Sequence, residues 1–106
     1  MTSRIGLRVS FSKQKIELKS ADQVDKMQAS AEILASVFLE VRKLVRPGMT
    51  TGEMDRTIEA MIREAGCVPS FKGYHGFPAS ACISVNEEVV HGIPGERELV
   101  AGDIVG

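Results

Sequence analysis

The sequence predicts an α+β fold in which a pair of helices packs on a short antiparallel sheet that is left incomplete. Two capping boxes each precede a stretch of apolar residues at helical spacing. After Cys67 the helical pattern gives way to Gly, Pro, aromatic and β-branched residues. The final Ile104-Val105 indicates a strand that has only begun at Gly106, so we expect the chain to be part of a larger fold.

Composition restricts the class of protein. The chain has 106 residues, of which 43% are apolar and 25% charged, which suits one small domain with a modest core. No apolar run approaches the roughly 18 residues of a membrane span, and Met1–Lys15 lacks the apolar segment of a secretory signal. We therefore expect a cytoplasmic protein in which Cys67 and Cys82 are free thiols.

The first residues differ in charge from the rest. Residues 1–19 sum to +4, which leaves −5 for the remainder of a chain whose net charge is −1. We interpret residues 1–15 as a basic, flexible leader and residues 16–106 as a partial domain. Such an arm could touch RNA or a ribosome. Because Phe11 is its only aromatic residue, no stacking platform for single-stranded nucleic acid is expected.

The first helix is predicted to begin after Ser20, whose capping-box partner is Gln23. It should end near Arg46, because Pro47-Gly48 cannot continue a helix. Its predicted apolar stripe consists of Val24, Met27, Ala31, Leu34, Val37, Phe38, Val41, Leu44 and Val45.

The second helix is predicted to follow a capping box made by Thr50 and Glu53 and to end at Gly66. Its apolar stripe is formed by Met54, Ile58, Met61, Ile62 and Ala65. Because the methionines fall at helical spacing, we interpret them as core residues. The short connection predicts that the two helices pack as an antiparallel or crossed pair.

The remaining segment is predicted to contain a loop and short strands. Residues 69–78 are rich in Gly, Pro and aromatic residues and indicate an ordered loop. Residues 81–85 and 88–91 have the composition of strands, and the tight connection at Asn86-Glu87 favours a hairpin between them. Gly102-Asp103 is typical of a turn before the final strand.

Few residues could carry chemistry. His75 and His91 suit a pocket, but their spacing alone favours ordinary hydrogen-bonded or surface histidines. With Cys67 and Cys82 they are too irregularly spaced for a self-contained metal site. Cys82 and His91 could approach each other on neighbouring strands. Because Cys82 has apolar neighbours, however, we expect an inert thiol and no catalytic dyad.

Three stretches resemble type I methionine aminopeptidases. They are Phe71-Lys72-Gly73-Tyr74-His75-Gly76-Phe77-Pro78, the longer Cys82-Ile83-Ser84-Val85-Asn86-Glu87-Glu88-Val89-Val90-His91-Gly92-Ile93-Pro94, and Gly102-Asp103-Ile104-Val105. The helix pair and its connection from Val45 to Thr51 are similar too, so the resemblance runs from about Ile16 to the end. It implies the pita-bread fold, in which two pseudo-symmetric halves surround a curved antiparallel sheet. This chain would be the N-terminal half.

The resemblance also implies an activity and its cofactors. Family members remove the initiator methionine from nascent proteins with two divalent metal ions, Co, Mn, Fe or Zn, which activate a bridging water. Their ligands are two aspartates, one histidine and two glutamates, and no residue here matches any of the five. Asp103 matches the turn before the first of these aspartates, which would lie just beyond Gly106. We therefore expect the chain alone to bind no metal and to be inactive.

The resemblance assigns one side of a substrate site to this chain. His91 would hydrogen-bond the peptide near the scissile bond and stabilise charge in the transition state, which makes it the one candidate catalytic residue. Tyr74, Phe77 and Cys82 would line the pocket for the methionine side chain, which His75 would flank. Phe71 falls where family members vary between aromatic and small residues.

Two other interpretations remain open from sequence. The chain could be a non-catalytic half-domain that binds N-terminal peptides or a complementary half. It could also be a non-functional product whose exposed sheet edges invite aggregation. The expected partners are nascent polypeptide N-termini, with the ribosome and the missing C-terminal half as further candidates. Neither a membrane nor a specific nucleic acid is expected.

Overall fold

The computed structural model describes residues 15–106, so the leader predicted for residues 1–15 lies outside the described part except for Lys15. Helix α1 spans Ala21–Leu44 and helix α2 spans Thr51–Glu64. A single turn of 3-10 helix follows at Tyr74–Gly76. No helix of the described residues is long and apolar enough to cross a membrane.

Both predicted capping boxes are confirmed. The Ser20 hydroxyl accepts a hydrogen bond from the Gln23 backbone amide at 3.3 Å. The Gln23 side-chain oxygen accepts one from the Ser20 backbone amide at 2.8 Å. Thr50 and Glu53 repeat the arrangement at 3.1 and 2.8 Å. Each box satisfies two backbone N–H groups that the first turn of a helix leaves without partners.

The helix ends are close to their predicted positions. Helix α1 ends at Leu44, two residues before the predicted Arg46. Pro47 explains the difference, because it disfavours the helical conformation at the residue before it. Helix α2 is followed by Gly66, whose φ of +77° is the left-handed conformation that commonly terminates a helix.

The core lies where α2 and the segment after it meet the C-terminal half of α1. It contains Val37, Val41, Met49, Ala79, Ile83, Val85 and Leu99. The interpretation of Met27 as a core residue was wrong: it is 58% exposed, because α2 has 14 residues against 24 in α1 and covers only part of it. Phe38, also in the predicted apolar stripe, is 68% exposed beside the buried Val37.

The predicted hairpin does not form. Asn86-Glu87 is a turn, closed by the Glu88 amide donating to the Val85 carbonyl at 3.1 Å, but residues 81–85 and 88–91 do not pair as strands. A single backbone bond crosses beyond the turn, from the Ile83 amide to the Gly92 carbonyl at 2.9 Å. Val85 instead forms an isolated antiparallel bridge with Val105, flanked by two reciprocal bonds of 2.8 Å between Ser84 and Gly106. A second bridge joins Thr50 to Glu98, and the described residues contain no ladder that extends beyond a single bridge. The sheet expected from sequence is therefore reduced to these pairs.

Candidate functional site

An open cavity of about 410 Å³ lies between residues 69–78, which we call the aromatic loop, and residues 91–93. Its lining is Phe71, Tyr74, His75, Gly76, Phe77, Pro78, Cys82, His91 and Ile93. The five residues singled out from sequence therefore surround one space. Ile93 was missed, although its place in the Gly-Ile-Pro turn beside His91 could have indicated it.

Aromatic edges form one side of the cavity. The Tyr74 ring meets Phe71 edge-on, with centroids 6.4 Å apart, and meets His75 at 4.2 Å with an interplanar angle of 78°. Edge-to-face contacts of this kind favour one arrangement of the rings. Phe71 and Tyr74 remain 54% and 61% exposed, so the cavity has an open side that a flexible apolar side chain could enter.

Cys82 and His91 meet at the other side. The Cys82 Sγ lies 3.8 Å from His91 Nδ1, which confirms that the two residues approach each other although the predicted hairpin is absent. Both cysteines are free thiols, as predicted. The thiol and the imidazole make this end of the cavity polar, so that a polar group of a bound molecule could be held there.

Asp55 on α2 holds the segment that leads into the cavity. Its Oδ1 accepts the backbone N–H groups of Ser80 at 3.0 Å and Ala81 at 2.8 Å. Asp55 is only 7% exposed, so both bonds lie in a poorly solvated setting where hydrogen bonds to a charged group are strong. The backbone just before Cys82 is thereby fixed to the helix.

Glu59, one turn further along α2, anchors the loop from the other end. Its carboxylate receives Lys72 Nζ at 2.7 Å, Arg63 at 2.9 Å and the Ser80 hydroxyl at 3.1 Å. The Lys72 hydrogen bond first, and then that of Arg63, lowers the pKa of Glu59 from 4.5 to about 2. The aromatic loop is thus attached to α2 through Lys72, the residue after Phe71.

A lowered carboxyl pKa has a defined consequence for stability in acid. The Glu59 contribution is complete above the unfolded pKa of 4.5 and is lost as pH falls through the folded pKa of about 2. We expect Glu59→Gln to reduce the loss of stability between pH 4.5 and 2, measured by urea unfolding followed by circular dichroism. Glu64→Gln, on the exposed end of the same helix, is the matched control and should keep the parent's acid profile. Identical profiles for Glu59→Gln and the parent would contradict this account.

Arg97 connects the turn before His91 to the following segment. Its guanidinium contacts Glu87 at 2.9 Å and Glu88 at 2.8 Å. The Arg97 hydrogen bond lowers the pKa of Glu87, and in return Glu87 raises the pKa of Arg97. Because these groups are largely solvated, the pairs contribute little to stability, but they tie Glu87 and Glu88 to Arg97.

The donors present do not fit the two metal ions that the resemblance implies. Residues 15–106 contain no group of three or more His, Cys, Asp or Glu that could hold an ion. The best-placed carboxylates are committed elsewhere: Asp55 to backbone amides, Glu59 to Lys72 and Arg63, and Asp103 to Asn86 and the Val100 amide. The arrangement can therefore bind and orient a molecule, and no metal-dependent step follows from it.

Known proteins share both this sequence and this fold. The model of metallopeptidase family M24 matches residues 25–106. A methionine aminopeptidase of Clostridium perfringens is 50% identical over 90 residues, and one of Borreliella burgdorferi is 50% identical over 91. The crystal structure of methionine aminopeptidase from Rickettsia prowazekii superimposes with a TM-score of 0.83 at 32% identity, and that from Thermotoga maritima with 0.82 at 37%.

The similarity covers most of this chain but a minor part of each relative. It extends over 85% and 86% of the chain against the first two relatives, and over 36% of the length of each. Each of the two structures is likewise matched over 86% of this chain and 37% of its own length. The chain thus spans about a third of the relatives, which have the pita-bread fold expected from the resemblance.

Proposed function

Since this chain belongs to metallopeptidase family M24 and its resemblance to methionine aminopeptidases is confirmed, we propose that it carries the methionine-binding side of such an enzyme. The complete protein would remove initiator methionine from nascent chains in the cytoplasm. The observation that supports this most is the cavity itself. It combines three aromatic rings, the Cys82 thiol and the His91 imidazole around a space of about 410 Å³.

The chemistry of the cavity suits methionine in particular. A thioether side chain gains from contact with aromatic edges, which Phe71 and Tyr74 offer at the open side. The peptide group of a bound N-terminus would then lie towards His91, whose imidazole can hydrogen-bond it. In this proposal Tyr74, Phe77 and Cys82 select the side chain, His75 flanks it, and His91 acts on the peptide.

The proposal includes the inactivity of this chain alone. The two metal ions of the family would supply the nucleophilic water, and the described residues offer no donor set for them. Removing every ligand should abolish that nucleophile and not merely weaken it. The 106-residue chain should therefore bind a peptide that begins with methionine without cleaving it.

The exposed apolar surface favours a second role, as a half-domain that binds a complementary polypeptide. On α1, Leu34 and Phe38 are 50% and 68% exposed, and Val89 is 89% exposed after the turn at Asn86. Apolar surfaces of this kind are commonly covered in the functional protein. The natural complement would be a polypeptide matching the part of the relatives that this chain does not cover.

Methionine release from a Met-Gly-Ser peptide tests the proposal. The purified chain should release none with Co, Mn or Fe, whereas the chain mixed with a polypeptide containing the unmatched part of the Clostridium perfringens relative should release it. His91→Ala in the mixture should greatly slow release, and Lys26→Ala on the exposed face of α1 should not. Metal-dependent release by the chain alone, removed by His91→Ala, would contradict the account.

A further inference from the structure

The backbone at the two site histidines is unusual. His75 has φ of +47° and His91 of +58°, and Asn86 is the only other non-glycine residue of the described chain with positive φ. The left-handed conformation is unfavourable for a non-glycine residue, so contacts nearby must maintain it. For His91, which faces the polar end of the cavity, those contacts can be identified.

The residue after His91 is held on both sides. The Gly92 carbonyl accepts the Ile83 amide at 2.9 Å, and the Gly92 amide donates to the Ser84 hydroxyl at 3.0 Å. Gly92 is buried, and a Cβ there would overlap the Ile83 carbonyl oxygen. The His91-Gly92 backbone therefore lies flat against Ile83 and Ser84.

The backbone of Ser84 also pairs with Gly106. Its amide donates to the Gly106 carbonyl and its carbonyl accepts the Gly106 amide, each at 2.8 Å. The main chain of Ser84 is thus held by pairing, and its hydroxyl is held by the bond from the Gly92 amide. A hydroxyl on a fixed backbone is a better anchor for the His91 turn than a freely rotating surface group would be.

We propose that Ser84 is a positioning residue for His91. By accepting the Gly92 amide, its hydroxyl keeps His91 in the left-handed conformation and its Nδ1 beside the Cys82 thiol, 3.8 Å away. The functional meaning of this position rests on the proposed function, in which His91 meets the bound peptide. The positioning itself depends on no substrate or metal.

The hydroxyl is isolated by an isosteric pair, Ser84→Thr and Ser84→Val, in the 106-residue chain. Ser84 is partly exposed, and the two variants have the same shape and differ only in the group that would accept the Gly92 amide. The imidazole resonances of His91 report its position, and those of His75 serve as an internal control. A His75→Gln chain assigns the two sets.

We expect His91 resonances of Ser84→Thr to match the parent, and those of Ser84→Val to shift or broaden while His75 is unchanged. Affinity for a Met-Gly-Ser peptide should fall about tenfold in Ser84→Val and less than twofold in Ser84→Thr, because only the variant with a hydroxyl keeps His91 where the bound peptide meets it. If no variant binds the peptide, the proposed function fails, but the resonances still decide the positioning.

Two results would overturn the inference. One is a Ser84→Val chain with unchanged His91 resonances. The other is loss of the fold, seen by circular dichroism, in both Ser84→Val and the smaller Ser84→Ala while Ser84→Thr stays folded. That second result would assign the hydroxyl to the fold as a whole instead of to His91.

Discussion

Gly92→Ala is expected to destabilise the chain by about 3 kcal/mol, through overpacking and the loss of two hydrogen bonds. The new Cβ would overlap the Ile83 carbonyl oxygen and lie 2.7 Å from its carbonyl carbon. Because both contacts are with backbone, no side-chain rotation relieves them. The bonds from Ile83 and to Ser84 must lengthen or break, and His91 must move with them.

Urea unfolding of the purified variant measures this effect. Gly95→Ala is the matched control, because a Cβ at Gly95 meets nothing within 4 Å and its φ is not positive. We expect the control to unfold within about 0.5 kcal/mol of the parent, as for a surface substitution. Equal stability of Gly92→Ala and Gly95→Ala would contradict the close contact between Gly92 and the Ile83 backbone.

Asp55→Ala is the second substitution with a large expected effect, a loss of about 3 kcal/mol of unfolding free energy. It removes the acceptor of two backbone N–H groups, of Ser80 and Ala81, and leaves both without a partner in a buried setting. Asp55→Asn retains an oxygen at Oδ1 and should lose less. For a domain this small, 3 kcal/mol is a large share of the total stability.

Asp25→Ala on the exposed N-terminal part of α1 is the control, and it should change stability little. The Asp55 substitution should in addition loosen the residues just before Cys82. Faster hydrogen exchange at Ser80 and Ala81 in Asp55→Ala, relative to Asp25→Ala, checks that local consequence. Unchanged exchange at both amides would contradict the anchoring role of Asp55.

Local signals in the sequence predicted the helices well. The capping boxes at Ser20 and Thr50 and the left-handed Gly66 depend only on neighbouring residues, so they can be recognised from the sequence alone. The exposure of Met27 could not be predicted in this way. The periodicity of a helix indicates which face is apolar, but the length of the helix that packs on it decides how much is covered.

The pairing of Val85 was mispredicted because it is non-local. A tight connection at Asn86-Glu87 favoured a hairpin, yet Asn-Glu is a weak hairpin turn and Val85 pairs with Val105 instead. The approach of Cys82 and His91 was predicted, although the two residues do not lie on paired strands. Asp55 and Glu59 were not singled out, because each bonds the distant segment at Ser80, which lies 25 and 21 residues away from them in sequence.

Titration of the isotopically labelled chain with Met-Gly-Ser and with Ala-Gly-Ser, followed by nuclear magnetic resonance, tests the central claim most directly. If the cavity selects methionine, the resonances of Phe77, Cys82 and His91 should shift with the first peptide and far less with the second. Resonances of α1, remote from the cavity, should not respond. Equal responses to the two peptides, or none at the cavity, would contradict the claim that this chain carries a methionine-binding site.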